Sequence, residues 1–255
     1  MSVGLDWLPE TAFFYLVIFC RVGTMLMLLP ALGETSIPAN MRLGFALMFS
    51  LVLLPLLRQQ LPALPQDLMA ILVLAGHELV IGLLLGGLMR IFVAAAQVAG
   101  SIIAFQVGLS SAMVADPNQG GTQGLVISTF LSFLGTTLIF ATDLHHLALA
   151  AVYDSYMIFK PSDPLMFGDA AQAAIRSLTG AFTVGIQMSA PFIVFGLVFN
   201  LGMGILSRLM PQLQVFFIAM PANIGVGLIL IALLLTMMMG WYLSHFEAEL
   251  ANLRV

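Results

Sequence analysis

The sequence has little charge and almost no cysteine. Only 8% of its 255 residues are charged, against roughly 25% in soluble domains, and 61% are hydrophobic. The eight Lys and Arg residues stand singly along a chain of net charge −4, so the sequence offers no basic patch that could neutralise a nucleic acid backbone. The one cysteine, Cys20, excludes a disulfide framework and a cysteine-based metal site.

Long apolar runs fill most of the chain. One helix needs about 20 apolar residues to cross a bilayer, and only helices or closed barrels satisfy their backbone in lipid. No long period-two alternation indicates a barrel. The sequence therefore predicts one all-α membrane domain with about six to seven apolar helical segments, of which 43–57 and 144–159 are short and suit hairpin arms better than independent spans. The segments are 12–32, 43–57, 68–115, 124–142, 144–159, 170–206 and 214–245.

One predicted helix face, within residues 68–104, collects polar and small residues. Its members at helical spacing are Glu78, Gly82, Gly86, Arg90, Gln97 and Ser101. Glu78 and Arg90 lie about 18 Å apart at roughly 1.5 Å per residue, so they cannot pair with each other. An unpaired charge in hydrocarbon is costly, and Arg21 stands alone in the first segment. Each charge needs a partner on another helix or another subunit, and we expect other subunits to supply it.

A second polar stripe follows residue 168. Its residues recur at steps of three and four and share one helix face, while the opposite face is apolar. The stripe consists of Asp169, Gln172, Arg176, Thr179, Thr183 and Gln187. Pro191 then favours a kink. Such a stripe either lines water or docks on the polar surface of another subunit.

Catalytic motifs are incomplete. His77 and Glu78 begin a zinc-protease pattern, but Ile81 occupies the position of the second histidine. Ser110 has no base nearby in the sequence to activate it, so small residues before a loop are the simpler interpretation. The sequence predicts neither an enzyme nor a cofactor.

Asp143, His145 and His146 form the remaining cluster with metal-capable side chains. Neighbouring residues on a helix point about 100° apart, so adjacent histidines are poor ligands for one ion. We interpret the cluster as the start of an interfacial helix, with Asp143 as its N-cap, and predict no metal site.

Taken in order, the residues resemble the FliR/SctT/SpaR family, a component of the type III secretion export gate. The residues that carry the resemblance are Arg21, Pro30, Pro38, Arg42-Leu43-Gly44, Pro55, Glu78, Gly82, Gly86, Gln97-x-x-Gly100, Gln106-x-Gly108-Leu109-Ser110, Asp116-Pro117, His145, Ser155-Tyr156, Asn200, Gly204 to Arg208, Pro211-Gln212-Leu213 and Pro221. The flagellar branch is the closer match.

The resemblance implies a channel of tilted helical hairpins. Its expected partners are FliP-like and FliQ-like membrane proteins, an FlhB-like subunit, membrane lipids and unfolded flagellar export substrates. The expected location is the bacterial inner membrane, in the flagellar basal body. Residues 1–200 would be the FliP-like part and residues 201–255 the FliQ-like part.

The resemblance also implies two sets of functional residues. A gating plug would include Gln106, Gly108, Leu109, Ser110, Asp116 and Pro117. Contacts between subunits would come from Arg21, Glu78, Gly82, Gly86, Arg90, Gln97, Asp169, Gln172, Arg176, Arg208, Pro211 and Gln212.

An alternative function is a small-molecule secondary transporter. It would use His77, Glu78 and Arg90 near the membrane midplane, where ionisable residues are usually functional. Transporters commonly contain internal repeats, and the halves of this sequence show no convincing repeat, so the export gate is preferred.

Overall fold

The computed structural model describes residues 8–30, 32–33, 37–109, 123–161, 163, 167–210 and 215–252. Within that part every regular element is an α-helix, which confirms the predicted all-α class. The helices are α1 (Leu8–Leu28), α2 (Ala39–Leu57), α3 (Leu68–Gln106), α4 (Gln123–Ala141), α5 (Leu144–Ile158), α6 (Phe167–Leu209) and α7 (Val215–Asn252).

Most helices are long enough to cross a bilayer. Five of them, α1, α2, α3, α6 and α7, meet the length and hydropathy of a membrane span, and α4 with α5 would make a sixth as one broken span. The prediction that residues 43–57 were too short for a span is wrong, because α2 begins earlier, at Ala39. Residues 144–159 agree with a short arm, since α5 covers Leu144–Ile158.

The chain divides into two compact units that alternate along the sequence. Unit 1 comprises Met1–Ile91, Thr142–Ser177 and Ala248–Val255, and unit 2 comprises Phe92–Ala141 and Leu178–Glu247. The predicted boundary after residue 200 separates a FliP-like part from a FliQ-like part. It describes similarity to those proteins and not packing within this chain, so it stays a prediction.

In unit 1, α1 packs against α2 and against the first half of α3. The buried side of α1 is almost wholly apolar and includes Phe14, Val17, Ile18 and Met25. Lipid provides no hydrophobic drive between helices, so close packing must hold them together.

In unit 2, glycines let the helices approach the second half of α3. An added methyl at Gly100 of α3 would clash with the backbone of Ser128 on α4. At Gly185 of α6 it would lie 2.7 Å from Val98 Cγ1. Small residues at such crossings are typical of membrane helix pairs.

Candidate functional site

A buried ion pair lies at the centre of unit 1. Arg21 Nε donates to Glu78 Oε2 at 2.6 Å, and Arg21 Nη2 donates to Glu78 Oε1 at 2.9 Å. The guanidinium also donates to the backbone oxygens of Ser155 at 3.0 Å and Phe159 at 2.8 Å, and it lies 4.0 Å from the Tyr156 ring centroid. Both charged side chains are completely buried, and together they join α1, α3 and the end of α5.

This pair corrects one prediction. Arg21 and Glu78 were expected to lack partners within the chain and to contact other subunits, but each satisfies the other across 57 sequence positions. A two-bond Arg–carboxylate contact is among the stronger protein hydrogen-bonding arrangements. Neither side chain reaches the surface of this structure.

Gly82 and Gly86 also face the interior of the chain. A methyl at Gly82 would clash with Thr24 Oγ1, and one at Gly86 would lie 2.8 Å from Leu28 Cβ. Both glycines therefore serve the contact between α3 and α1. The prediction that they contact another subunit is wrong for this structure, because α1 already covers their face.

The same polar face of α3 becomes exposed further along the helix. Arg90, Gln97 and Ser101 are exposed. Gln97 Nε2 lies 3.5 Å from Ser132 Oγ, whereas Arg90 forms no ion pair with any residue that the structure describes. The predicted inter-subunit role of Arg90 and Gln97 stays a prediction, and their exposure is compatible with it.

The polar stripe of α6 is exposed throughout. All six residues that the sequence placed on this face are accessible: Asp169, Gln172, Arg176, Thr179, Thr183 and Gln187. Arg176 Nε donates to the Gln172 backbone oxygen, at 3.4 Å. Arg208, near the end of α6, is also exposed. Pro211 and Gln212 lie outside the described residues.

The end of α3 is shaped by a left-handed glycine. Gly108 has φ 83°, a conformation that favours glycine. The Leu109 N–H donates to the Ala104 carbonyl at 3.0 Å, and the Gly108 N–H donates to the Phe105 carbonyl at 3.2 Å. These two bonds form a Schellman termination, which stops the helix and redirects the chain.

The last turn of α3 is seated between α6 and α7. A methyl at Gly196 on α6 would clash with the Gln106 amide, and one at Gly227 on α7 would clash with the buried Val107 side chain. Asn223 Nδ2 donates to the Gln106 backbone oxygen at 3.3 Å. We call these five residues the gate seat.

The gate seat contains three residues that sequence reasoning missed: Gly196, Asn223 and Gly227. Their distance along the chain from residue 106 gives no local signal of the contact. Of the predicted plug, Gln106, Gly108 and Leu109 lie at or beside the seat, while Ser110, Asp116 and Pro117 lie outside the described residues.

The structure does not assemble the transporter residues into one site. His77 Nδ1 lies 3.5 Å from Glu78 Oε1, but Glu78 is buried against Arg21. Arg90 is exposed three turns further along α3. A substrate site built from these three side chains therefore has no support in this geometry.

The Asp143 cluster differs from its prediction. Asp143 occupies the N-cap position of α5 with φ 59°, but its side chain makes no capping hydrogen bond. The prediction that the neighbouring histidines diverge is wrong, since the ring centroids of His145 and His146 are 4.0 Å apart. Ligand atoms of all three residues lie within 4.8 Å of one another.

The chain is similar to known bacterial export proteins over most of its length. Residues 12–248 match the family described as bacterial export proteins, family 1. The chain is 42% identical to the flagellar biosynthetic protein FliR of Caulobacter vibrioides over 220 residues, covering 86% of this chain and 87% of that protein. It is 30% identical to the FliR of Bacillus subtilis, covering 100% and 96%. It is also 23% identical to the Yop proteins translocation protein T of Yersinia pestis, covering 92% and 90%.

Proposed function

The chain belongs to family 1 of the bacterial export proteins, and from this membership we propose that it is a channel subunit of a flagellar type III protein export gate. The identity of 42% to a flagellar FliR, against 23% to a Yop translocation protein, favours the flagellar branch. The proposed substrates are unfolded flagellar subunits. The proposed role is that of a conduit and not of an enzyme.

The proposed partners are FliP-like and FliQ-like membrane proteins, with an FlhB-like subunit beside them in the inner membrane of the basal body. Two exposed features support an assembled state. Arg90 sits on a long apolar helix without an ion-pair partner among the described residues, and the α6 stripe presents six polar side chains. Hydrocarbon solvates such groups poorly, so protein or water must cover them.

We assign the gating role to the chain that leaves the gate seat. The observation that carries this proposal is the seating of Gln106 and Val107 against Gly196 and Gly227, directly before the Gly108 turn. Van der Waals contact and the Asn223 hydrogen bond hold Gln106 and Val107 against α6 and α7. One such bond contributes about 1 kcal/mol net, so its removal should weaken the seat without unfolding the helices.

The assembly can be tested by native mass spectrometry of the tagged chain, extracted gently in detergent from its own host. The expected particle contains this chain with several copies of two other small apolar proteins. A stable, monodisperse monomer or homodimer would contradict the proposal.

The gating role needs a separate test in a host whose own copy is deleted. Asn223→Leu removes the hydrogen bond to the Gln106 backbone while keeping a side chain of similar size. We expect ion leak across the inner membrane to rise, with assembly of the particle unchanged. The exposed neighbour Ala222→Ser on α7 is the control. An unchanged leak in Asn223→Leu, with normal export, would overturn the gating role.

A further inference from the structure

We propose that Asp143, His145 and His146, at the start of α5, form a binding site for a divalent transition-metal ion, with Zn²⁺ as the preferred ion. The three residues are the metal-capable group that the described part of the chain brings together. They belong to unit 1 and share no residue with the gate seat or with the Arg21–Glu78 pair.

The separation of the ligand atoms suits one ion. His146 Nδ1 lies 3.6 Å from Asp143 Oδ1. Two ligands bound tetrahedrally at about 2.1 Å from zinc would lie roughly 3.4 Å apart. The distance between His146 Nδ1 and Asp143 Oδ1 is therefore close to the one that zinc requires. The third ligand atom, from His145, lies within 4.8 Å of the others.

The local backbone explains why adjacent side chains converge. The helix begins directly after Asp143, whose left-handed φ turns the chain, and the His146 N–H donates to the Asp143 carbonyl at 3.0 Å. Since the Asp143 carboxylate forms no capping bond, it remains beside the imidazole of His146. The tilted rings of the two histidines are already in contact.

The ligand set indicates the class of metal. Two imidazoles with one carboxylate suit Zn²⁺ and its neighbours in the first transition row, whereas Mg²⁺ and Ca²⁺ prefer oxygen ligands. Asp143 and His146 are 79% and 69% exposed, so an ion can reach both side chains without any movement of the helices. Three protein ligands leave the fourth position to water. A bound ion would fix the first turn of α5.

The site can be tested on the full chain purified in detergent with a tag that contains no histidine. Co²⁺ serves as the probe because its visible absorption reports coordination, and Zn²⁺ is then added as competitor. We expect one Co²⁺ per chain, displaced by Zn²⁺. His146→Gln and Asp143→Asn should each weaken binding by about tenfold or more. Both side chains are exposed, so these changes leave the fold intact, which the thermal melting curve checks.

Matched controls come from elsewhere in the chain. Asp163→Asn removes an exposed carboxylate, and His245→Gln removes an imidazole far along the sequence in α7. Both should bind Co²⁺ as tightly as the parent. Absence of Co²⁺ binding by the parent would overturn the site, as would cluster variants that bind as the parent does or controls that lose binding equally.

Discussion

Arg21 and Glu78 form a completely buried, two-bond ion pair that links helices α1 and α3. Backbone oxygens of Ser155 and Phe159 accept two further guanidinium protons. The pair therefore fixes three helical segments of unit 1 relative to one another. The two charges therefore belong to the core of the subunit and not to an interface between subunits.

Breaking this pair should destabilise the isolated chain. Glu78→Gln leaves an uncompensated buried cation, and Arg21→Met leaves a buried anion, each at a cost of about 3–5 kcal/mol. The double variant Arg21→Met with Glu78→Met should recover much of that loss, because apolar residues of similar volume can replace a buried pair. Denaturant unfolding in detergent measures the four species. Equal stability of parent and single variants would contradict the buried-pair assignment.

A methyl at Gly82 should separate α3 from α1. Gly82→Ala forces the new carbon against Thr24 Oγ1, and overpacking of this kind costs about 1–3 kcal/mol. Gly87→Ala on the same helix is the matched control, because a methyl there meets nothing within 4 Å. The melting temperature should fall for Gly82→Ala and should stay unchanged or rise for Gly87→Ala. Two identical melting curves would show that α1 does not cover Gly82.

Methyl groups in the gate seat should disturb gating. Gly196→Ala and Gly227→Ala push against Gln106 and Val107, so we expect higher ion leak and reduced export of flagellar subunits. The controls are Gly202→Ala on α6 and Gly225→Ala on α7, where the added carbon meets nothing within 4 Å.

The glycine controls determine which result would contradict the gating role of the gate seat. Alanine raises helix propensity by up to about 1 kcal/mol over glycine, so the two controls should be neutral or slightly more stable. If the seat variants and the controls gave the same leak and the same export, the end of α3 would not be the gate.

Arg90 should matter for assembly and not for the fold of the subunit. Its side chain is exposed, so Arg90→Gln should leave the melting of the isolated chain unchanged. Loss of one member of an interfacial charge pair costs about 2–5 kcal/mol, which predicts at least a tenfold smaller assembled fraction in native mass spectrometry. Arg58→Gln, at an exposed position after α2, is the control. Normal assembly of the Arg90 variant would remove it from the interface.

The α6 stripe should be covered when the particle assembles. On a Cys20→Ser background, Gln172→Cys is expected to react with a water-soluble maleimide in the isolated chain and to be protected in the particle. Ile175→Cys, which is exposed on the neighbouring apolar side of α6, tests lipid-facing reactivity. Labelling of the Gln172→Cys thiol in the assembled particle would instead indicate a water-lined surface.

The membrane class and the helices were predictable because they depend on local properties. Apolar length and composition determine which segments can enter lipid, and period-3.6 spacing placed the α6 stripe on one face that the structure exposes throughout. The end of α3 was not predictable from hydropathy, since the apolar run continues to residue 115 whereas the helix ends at Gln106, just before the left-handed Gly108.

Which helix packs on each helix face could not be predicted, because it depends on contacts between residues far apart in the sequence. The polar face of α3 looked uniform in sequence, yet α1 covers Glu78, Gly82 and Gly86 and leaves Arg90 exposed. Helical periodicity defines a face but carries no information about which helix packs on it. The sequence by itself determined an all-α membrane subunit and its family resemblance. Only the tertiary structure decided which charges are paired inside the chain, because that choice rests on packing across dozens of residues.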